Sequence, residues 1–402
     1  MVSEAPDPNA RFRARRLAAA QRRRARIRRR RGAALVVLGL AGTAVVLGAQ
    51  AVGGDGSSAE RDSSAPGERV RAAPKPPEPR PLPREIRGVH VTMPLASLPG
   101  RIDQYLSMPG LNTLELDIKD ENGEVGFVSG APRLARTVGA AKPYFRPRQV
   151  VARVRRSGAY LIGRLVVFQD PMLAEARPQL AVSTRDGSVW RTSAGHAWTN
   201  PYDKRVWAYN VAVARAAAKA GFDEIQFDYV RFPSDGDVSG AVFRGGPKGA
   251  NGWVIAGFVQ YAAKRLRPLG VRVSVDLFGL SATRDLGVGQ VPRRIARYVD
   301  AIYPMVYPSH YGSGEHGLDD PSSEPGLVVS RSLRHFQRQL RGRKAKLIPW
   351  LEDFSLGRTR TAGEVRAQID AARQAGSSGY LLWNPVGEYT DGMLAGSPES
   401  AP

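Results

Sequence analysis

Carboxylates occur in this chain inside stretches that are otherwise built like strands. In "FDEIQFDYVRFPSD" (Phe222–Asp235), Ile225, Phe227, Tyr229 and Phe232 supply β-branched and aromatic residues, yet Asp228 interrupts them and Arg231 follows. "TLELDIKD" carries Asp117, Lys119 and Asp120, "RVSVDLFG" carries Asp276, and "KLIPWLEDF" carries Trp350 and Glu352. "DAIYPMVYP" brings Tyr303 and Tyr307, with His310 just beyond it, and "GYLLWNP" brings Trp383. A polar or ionised group in an apolar strand is costly unless it is paired. For any one acid, a structural salt bridge to Arg231 or Lys119 is an adequate explanation. The whole set suggests chemistry. Cleavage of a glycosidic bond needs one acid to protonate the leaving oxygen. It also needs a second carboxylate to attack the anomeric carbon or activate water. Trp and Tyr faces would stack on sugar rings.

Such residues must be brought together by the elements that carry them. From Glu85 onward, short apolar runs alternate with helical patterns. The runs are Ile86–Met93, Thr113–Asp120, Tyr160–Gln169, Glu224–Pro233, Arg272–Gly279, Asp300–Pro308, Lys346–Phe354 and Gly379–Pro385, eight in all. Helices are expected over Arg146–Gly158, Asp203–Gly221, Asn251–Gly270 and Thr361–Gly376. The second opens with an Asp cap, the fourth with a Thr-x-x-Glu capping box, and each ends at Gly. The helix after the first run has the weakest pattern. Eight strand–helix units over about 310 residues fit a (β/α)8 TIM barrel, in which active sites lie at the C-terminal ends of the strands. A doubly wound open sheet fits less well, because no Gly-rich phosphate loop follows any strand.

In combination, "LELDIKDENGEV", "FDEIQFDYVRFPSDG", "VSVDLFG", "YPMVYPSHYGSGEHG", "IPWLEDF" and "GYLLWNP" resemble a family of bacterial TIM-barrel glycoside hydrolases over roughly Arg87 to Glu388. The resemblance implies a (β/α)8 barrel acting on a glycan, without naming the sugar. Its motifs map onto Asp228, Tyr229, Arg231 and Pro233, onto Asp117, Lys119 and Asp120, and onto Asp276. At Glu352 the family pattern often has Gln, which cannot act as an acid. Asp228 is therefore expected to be the nucleophile or base. Asp276 is the leading general acid, with Glu352 in reserve. Asp117 and Lys119 would bind hydroxyls or tune the acids. Asp120, Tyr229, Arg231 and Tyr303 complete the expected binding set. Tyr307, His310, Trp350 and Trp383 would line subsites.

The 402 residues include no cysteine, which excludes disulfides, thiolate metal sites and thiol nucleophiles. The five histidines lack zinc-motif spacing, so no metal and no cofactor is expected. The net charge of +22 could suggest nucleic acid. Much of it, however, lies in residues 1–32, where twelve Arg stand against Glu4 and Asp7. Residues 33–52 carry no charge and belong to an apolar run long enough to cross a membrane. Arg on its N-terminal side places the tail, residues 1–32, in the cytoplasm and the barrel outside, on a single-pass anchor. Signal cleavage at Ala49-Gln50-Ala51 is the alternative, giving a secreted protein. Residues 53–84 read as a Gly/Ser/Pro-rich linker and residues 85–395 as the barrel. The expected partner is a polysaccharide or oligosaccharide, with the membrane as attachment and no nucleic acid. A glycan-binding scaffold without catalysis is the rival from another class.

Overall fold

The computed structural model describes residues 77–247 and 249–396. The expected Arg-rich tail and membrane span lie outside the described residues. Among the described residues no helix is long and apolar enough to cross a membrane.

Six strands come in order as β1 (Ile86–Val91), β2 (Thr113–Lys119), β3 (Tyr160–Val166), β4 (Glu224–Asp228), β5 (Arg272–Phe278) and β6 (Ala301–Met305). The seventh, β7, is in two pieces, Lys346–Leu347 and Trp350–Glu352, and β8 is Gly379–Trp383. Pro349 sits at the break and has no N–H to give to a ladder. Every pairing is parallel. Each strand pairs with its neighbours in sequence, and β1 closes on β8, so the sheet is an eight-stranded barrel.

The longer helices are α1 (Pro147–Arg156), α2 (Lys204–Ala220), α3 (Asn251–Leu266), α4 (Pro325–Gln339) and α5 (Ala362–Gln374). The Asp203 side chain caps α2, and Gly221 ends it at φ 106°, a left-handed conformation open to Gly at little cost. The Thr361–Glu364 capping box of α5 is formed as expected. After β1 the weak pattern yields two short helices, Met93–Ala96 and Arg101–Leu106. The helix α4 was not anticipated from the sequence.

Strand side chains alternate with period two, and the core divides accordingly. Residues such as Val89, Leu116, Leu165, Phe227 and Val275 face the helices in one large cluster. Ile86, Tyr160, Ile162, Tyr303, Ile348, Trp350 and Leu381 fill the barrel interior in a second. Arg80, from the end of the Pro-rich stretch, pairs with Asp223 at 3.1 Å and donates to the carbonyls of Gly158 and Ala159. These partners precede β3 and β4, so the chain enters the barrel on the face opposite the strands' C-terminal ends.

Candidate active site

The register of the barrel stacks polar side chains on neighbouring strands. His90 lies beside Glu115, Asp117 beside Arg164, Arg164 beside Gln226, and Asp276 beside Tyr303. Arg164, on β3, is the hub. Its Nη1 donates to Asp117 Oδ1 at 2.6 Å, and Nη2 and Nε donate to Asp228 Oδ2 at 2.5 and 3.0 Å. His90 Nδ1 contacts Glu115 Oε2, and its Nε2 lies 3.4 Å from Asp117 Oδ2. All of these groups are buried.

Asp228 is the last residue of β4. The strand expected to run to Pro233 stops at Asp228, because Tyr229 turns to φ 48°, a left-handed conformation costing roughly 1–2 kcal/mol for an L-residue. The turn brings the Tyr229 N–H onto Asp228 Oδ1 at 2.6 Å. Asp276, on β5, accepts from Trp350 Nε1 at 2.7 Å and from Gln226 Nε2, both at Oδ1, while its Oδ2 has no protein partner.

Burial first, and then the nearby Asp228 charge, push the Asp276 carboxyl well above the usual carboxylate range, toward its neutral form. For His90, burial works against the charged ring, but the Glu115 and Asp117 carboxylates outweigh it and raise the pKa to about 10. Asp117 is held low, since His90 and Arg164 overcome the penalty of burial.

The pH dependence of stability follows from these shifts. Between the ordinary histidine value of 6.5 and about 10, the folded chain holds a proton on His90 that the unfolded chain releases. Stability from that proton is complete below 6.5 and is lost as pH rises through 10. Asp276, also raised, acts in the same direction from lower pH. Thermal melts across pH 6 to 10 are therefore expected to show a falling Tm, and a Tm that is flat or rising over this range would contradict the assignment.

A cavity of about 410 Å³ opens above this network, a size that suits a small ligand. Asp228, Tyr229, Arg231, Tyr307, His310, Trp350 and Trp383, all expected from the sequence, line it together with Arg164, Phe278 and Met305. Trp383 and Trp350 meet edge to face at 5.8 Å, and the Arg164 guanidinium lies 5.5 Å from the Trp383 ring. Asp276 lies behind this surface, bonded to Trp350, and Asp117 lies behind Arg164.

Four expected residues lie elsewhere. Lys119 would share a face with Asp117, but a β-bulge between them re-aims it outward. Its Nζ pairs with Asp170 at 2.9 Å and donates to Asn210 on α2. Asp120 holds a turn, accepting from the N–H groups of Asn122 and Glu124, and burial pushes it up to about 7. Tyr303 is wholly buried in the interior cluster beneath the cavity. Glu352 is saturated: Oε1 takes two bonds from Arg360, and Oε2 takes the Ser309 N–H and hydroxyl.

His90, Glu115, Arg164 and Gln226 were not among the expected site residues. The signal was present. Arg164 interrupts an apolar strand just as Asp228 does, and Glu115 and Asp117 are two apart and share a face.

A closed parallel barrel with acids and aromatics at the mouth of its strands defines the class of glycoside-hydrolase-type (β/α)8 barrels. The chain belongs to the family described as "putative glycosyl hydrolase domain", which matches residues 88–389. No curated protein matches it in sequence. A hypothetical protein from Ruminiclostridium thermocellum is 34% identical, over 47% of this chain and 96% of its own, with a TM-score of 0.42. The glycoside hydrolase domain of PgaB (BpsB) from Bordetella bronchiseptica shares the fold at 15% identity, over 75% of this chain and 94% of its own, with a TM-score of 0.53. The glycoside hydrolase domain of PelA from Pseudomonas aeruginosa is 10% identical, over 76% and 97%, with a TM-score of 0.45.

Proposed function

We propose that this glycoside hydrolase cleaves an envelope or extracellular polysaccharide by carboxylate acid–base chemistry. The observation that carries the reading is the pair of acids on adjacent strands β4 and β5. Asp228 faces the cavity, ion-paired to Arg164, while burial keeps Asp276 toward its neutral acid form. Two carboxyls in different states are what acid–base cleavage of a glycoside requires. Asp228 acts as nucleophile or base, Asp276 holds the proton behind the cavity wall with its Oδ2 free of protein partners to pass it on, and Arg164 and Asp117 fix Asp228 in place. Trp350, Trp383 and Tyr307 provide the walls against which a sugar ring stacks. Glu352 serves the loop after β6, not the chemistry. Glu352→Gln is therefore expected to lower Tm by a few degrees at most, since buried Arg360 loses its nearest anion and keeps only Glu364 at 3.6 Å. Turnover per folded molecule should stay within about threefold of wild type. A loss in kcat beyond about a hundredfold would return Glu352 to the catalytic set.

We further propose that residues 33–52 hold the protein in the cell membrane with its N-terminus cytoplasmic and the barrel outside. The alternative location is outside the cell after signal cleavage.

One observation favours a second reading, a glycan-binding barrel without catalysis: Arg164 ties up an oxygen of both Asp117 and Asp228. The two readings separate when the full-length chain is incubated with a panel of bacterial envelope glycans and exopolysaccharides. New reducing ends support the hydrolase, whereas retention of a glycan with no product supports the scaffold.

A further inference from the structure

We infer that the saccharide this barrel accepts bears carboxylates, and that Arg231 reads them. The inference rests on the reading above for the kind of ligand, a glycan, and not on catalysis itself.

Arg231 lies three residues after Asp228, lines the same cavity and is only 7% exposed. Its guanidinium is walled by aromatic rings, with centroids of Phe278 at 4.6 Å, Tyr229 at 4.9 Å and Trp198 at 5.0 Å. Nη1 donates to the Phe232 carbonyl at 3.1 Å and to Ser234 Oγ at 3.2 Å. Among the described residues, Arg231 forms no ion pair, and Nε and Nη2 donate no hydrogen bond to protein.

Other buried arginines of this barrel are treated differently. Arg164 closes on Asp117 and Asp228, and Arg360 on Glu352. A buried cation with no anion is expensive, and ring faces offset only part of the cost. Of the charged groups lining the cavity, Arg164 and Asp228 are ion-paired, whereas Asp228 and Asp235 act on Arg231 only from beyond ion-pair distance. The free Nε–Nη2 edge of a guanidinium is the planar fork that takes a carboxylate through two parallel bonds. The turn at Tyr229 aims Asp228 and Arg231 into one cavity. A uronate-type sugar would place its ring over the acids and its carboxylate on Arg231.

The test uses the full-length chain and three hexasaccharides, of mannuronate, galacturonate and glucuronate, each beside the same oligomer with its carboxylates reduced to alcohols. Binding is measured by calorimetry for wild type, Arg231→Gln and Arg231→Lys, with product followed in parallel. At least one acidic oligomer should bind about tenfold or more tightly than its reduced partner. That preference should vanish in Arg231→Gln and shrink in Arg231→Lys, which keeps charge but loses the fork. No preference in wild type for any acidic oligomer overturns the inference, even if the variants do not fold. So does a preference that survives in Arg231→Gln. A preference without product from any oligomer would sink the hydrolase and leave the acid-reading pocket. Product from the reduced oligomers without a preference would do the reverse.

Discussion

The Asp228→Asn protein folds, binds glycan and turns over at least about a thousandfold more slowly than wild type. The substitution keeps the side chain's volume at the end of β4, but its single amide oxygen can accept from the Tyr229 N–H or from Arg164, not from both as the two carboxylate oxygens do now. Arg164 retains Asp117 at 2.6 Å, so the guanidinium is not stranded. What is lost is the carboxylate that faces the cavity, and an amide is neither a nucleophile nor a base at neutral pH. The check is kcat on the most active glycan of the panel, beside a thermal melt to show that folding is intact. An Asp228→Asn rate within about tenfold of wild type would remove Asp228 from the chemistry.

Arg164→Met has the largest expected effect on stability. Methionine fills the aliphatic space of the arginine but leaves Asp117 and Asp228 as buried carboxylates without their cation. Removing one partner of a buried ion pair costs about 3–5 kcal/mol. For a domain of this size that corresponds to a Tm lower by on the order of 10 °C. His90 still faces Asp117, which relieves part of the strain on that side, but nothing replaces the two bonds to Asp228. Acid should narrow the gap to wild type, because protonating the stranded carboxylates removes their charge. Melts of both proteins at pH 5 and pH 8 check this. A Tm difference under about 3 °C at pH 8 would mean that Arg164 is not the counter-ion holding these acids.

The barrel was legible because its signal is local. Eight apolar runs with helical patterns between them are set by the alternation of side chains and by caps such as Asp203 and Thr361. Seven of the ten expected binding and three expected catalytic positions meet at one cavity for the same reason: residues at the ends of parallel strands converge. Departures came where backbone irregularity changed a direction. A bulge after Asp117 turns Lys119 into the helix layer, and no residue type announces it. The left-handed Tyr229 ends β4 five residues early. Glu352 is consumed by Arg360, a contact across the loop after β7 that spacing does not reveal. Arg164 and His90 lie in strands that carry no acid to mark them, although the cost of burying a charge applies equally to cations. The helix α4 follows a long loop rich in Gly, Ser and Pro that hides its start.

The proposed chemistry has water cleave a glycosidic bond at Asp228. Its most direct test is to run the reaction in water enriched in oxygen-18, with the full-length chain and the glycan that the panel identifies, and to weigh the products. One oxygen-18 in each new reducing end, formed by wild type and essentially absent with Asp228→Asn, is the predicted result. Unsaturated products without the label would indicate elimination in place of hydrolysis. Labelled product formed equally by Asp228→Asn would place the chemistry on another residue. Either result would contradict the account.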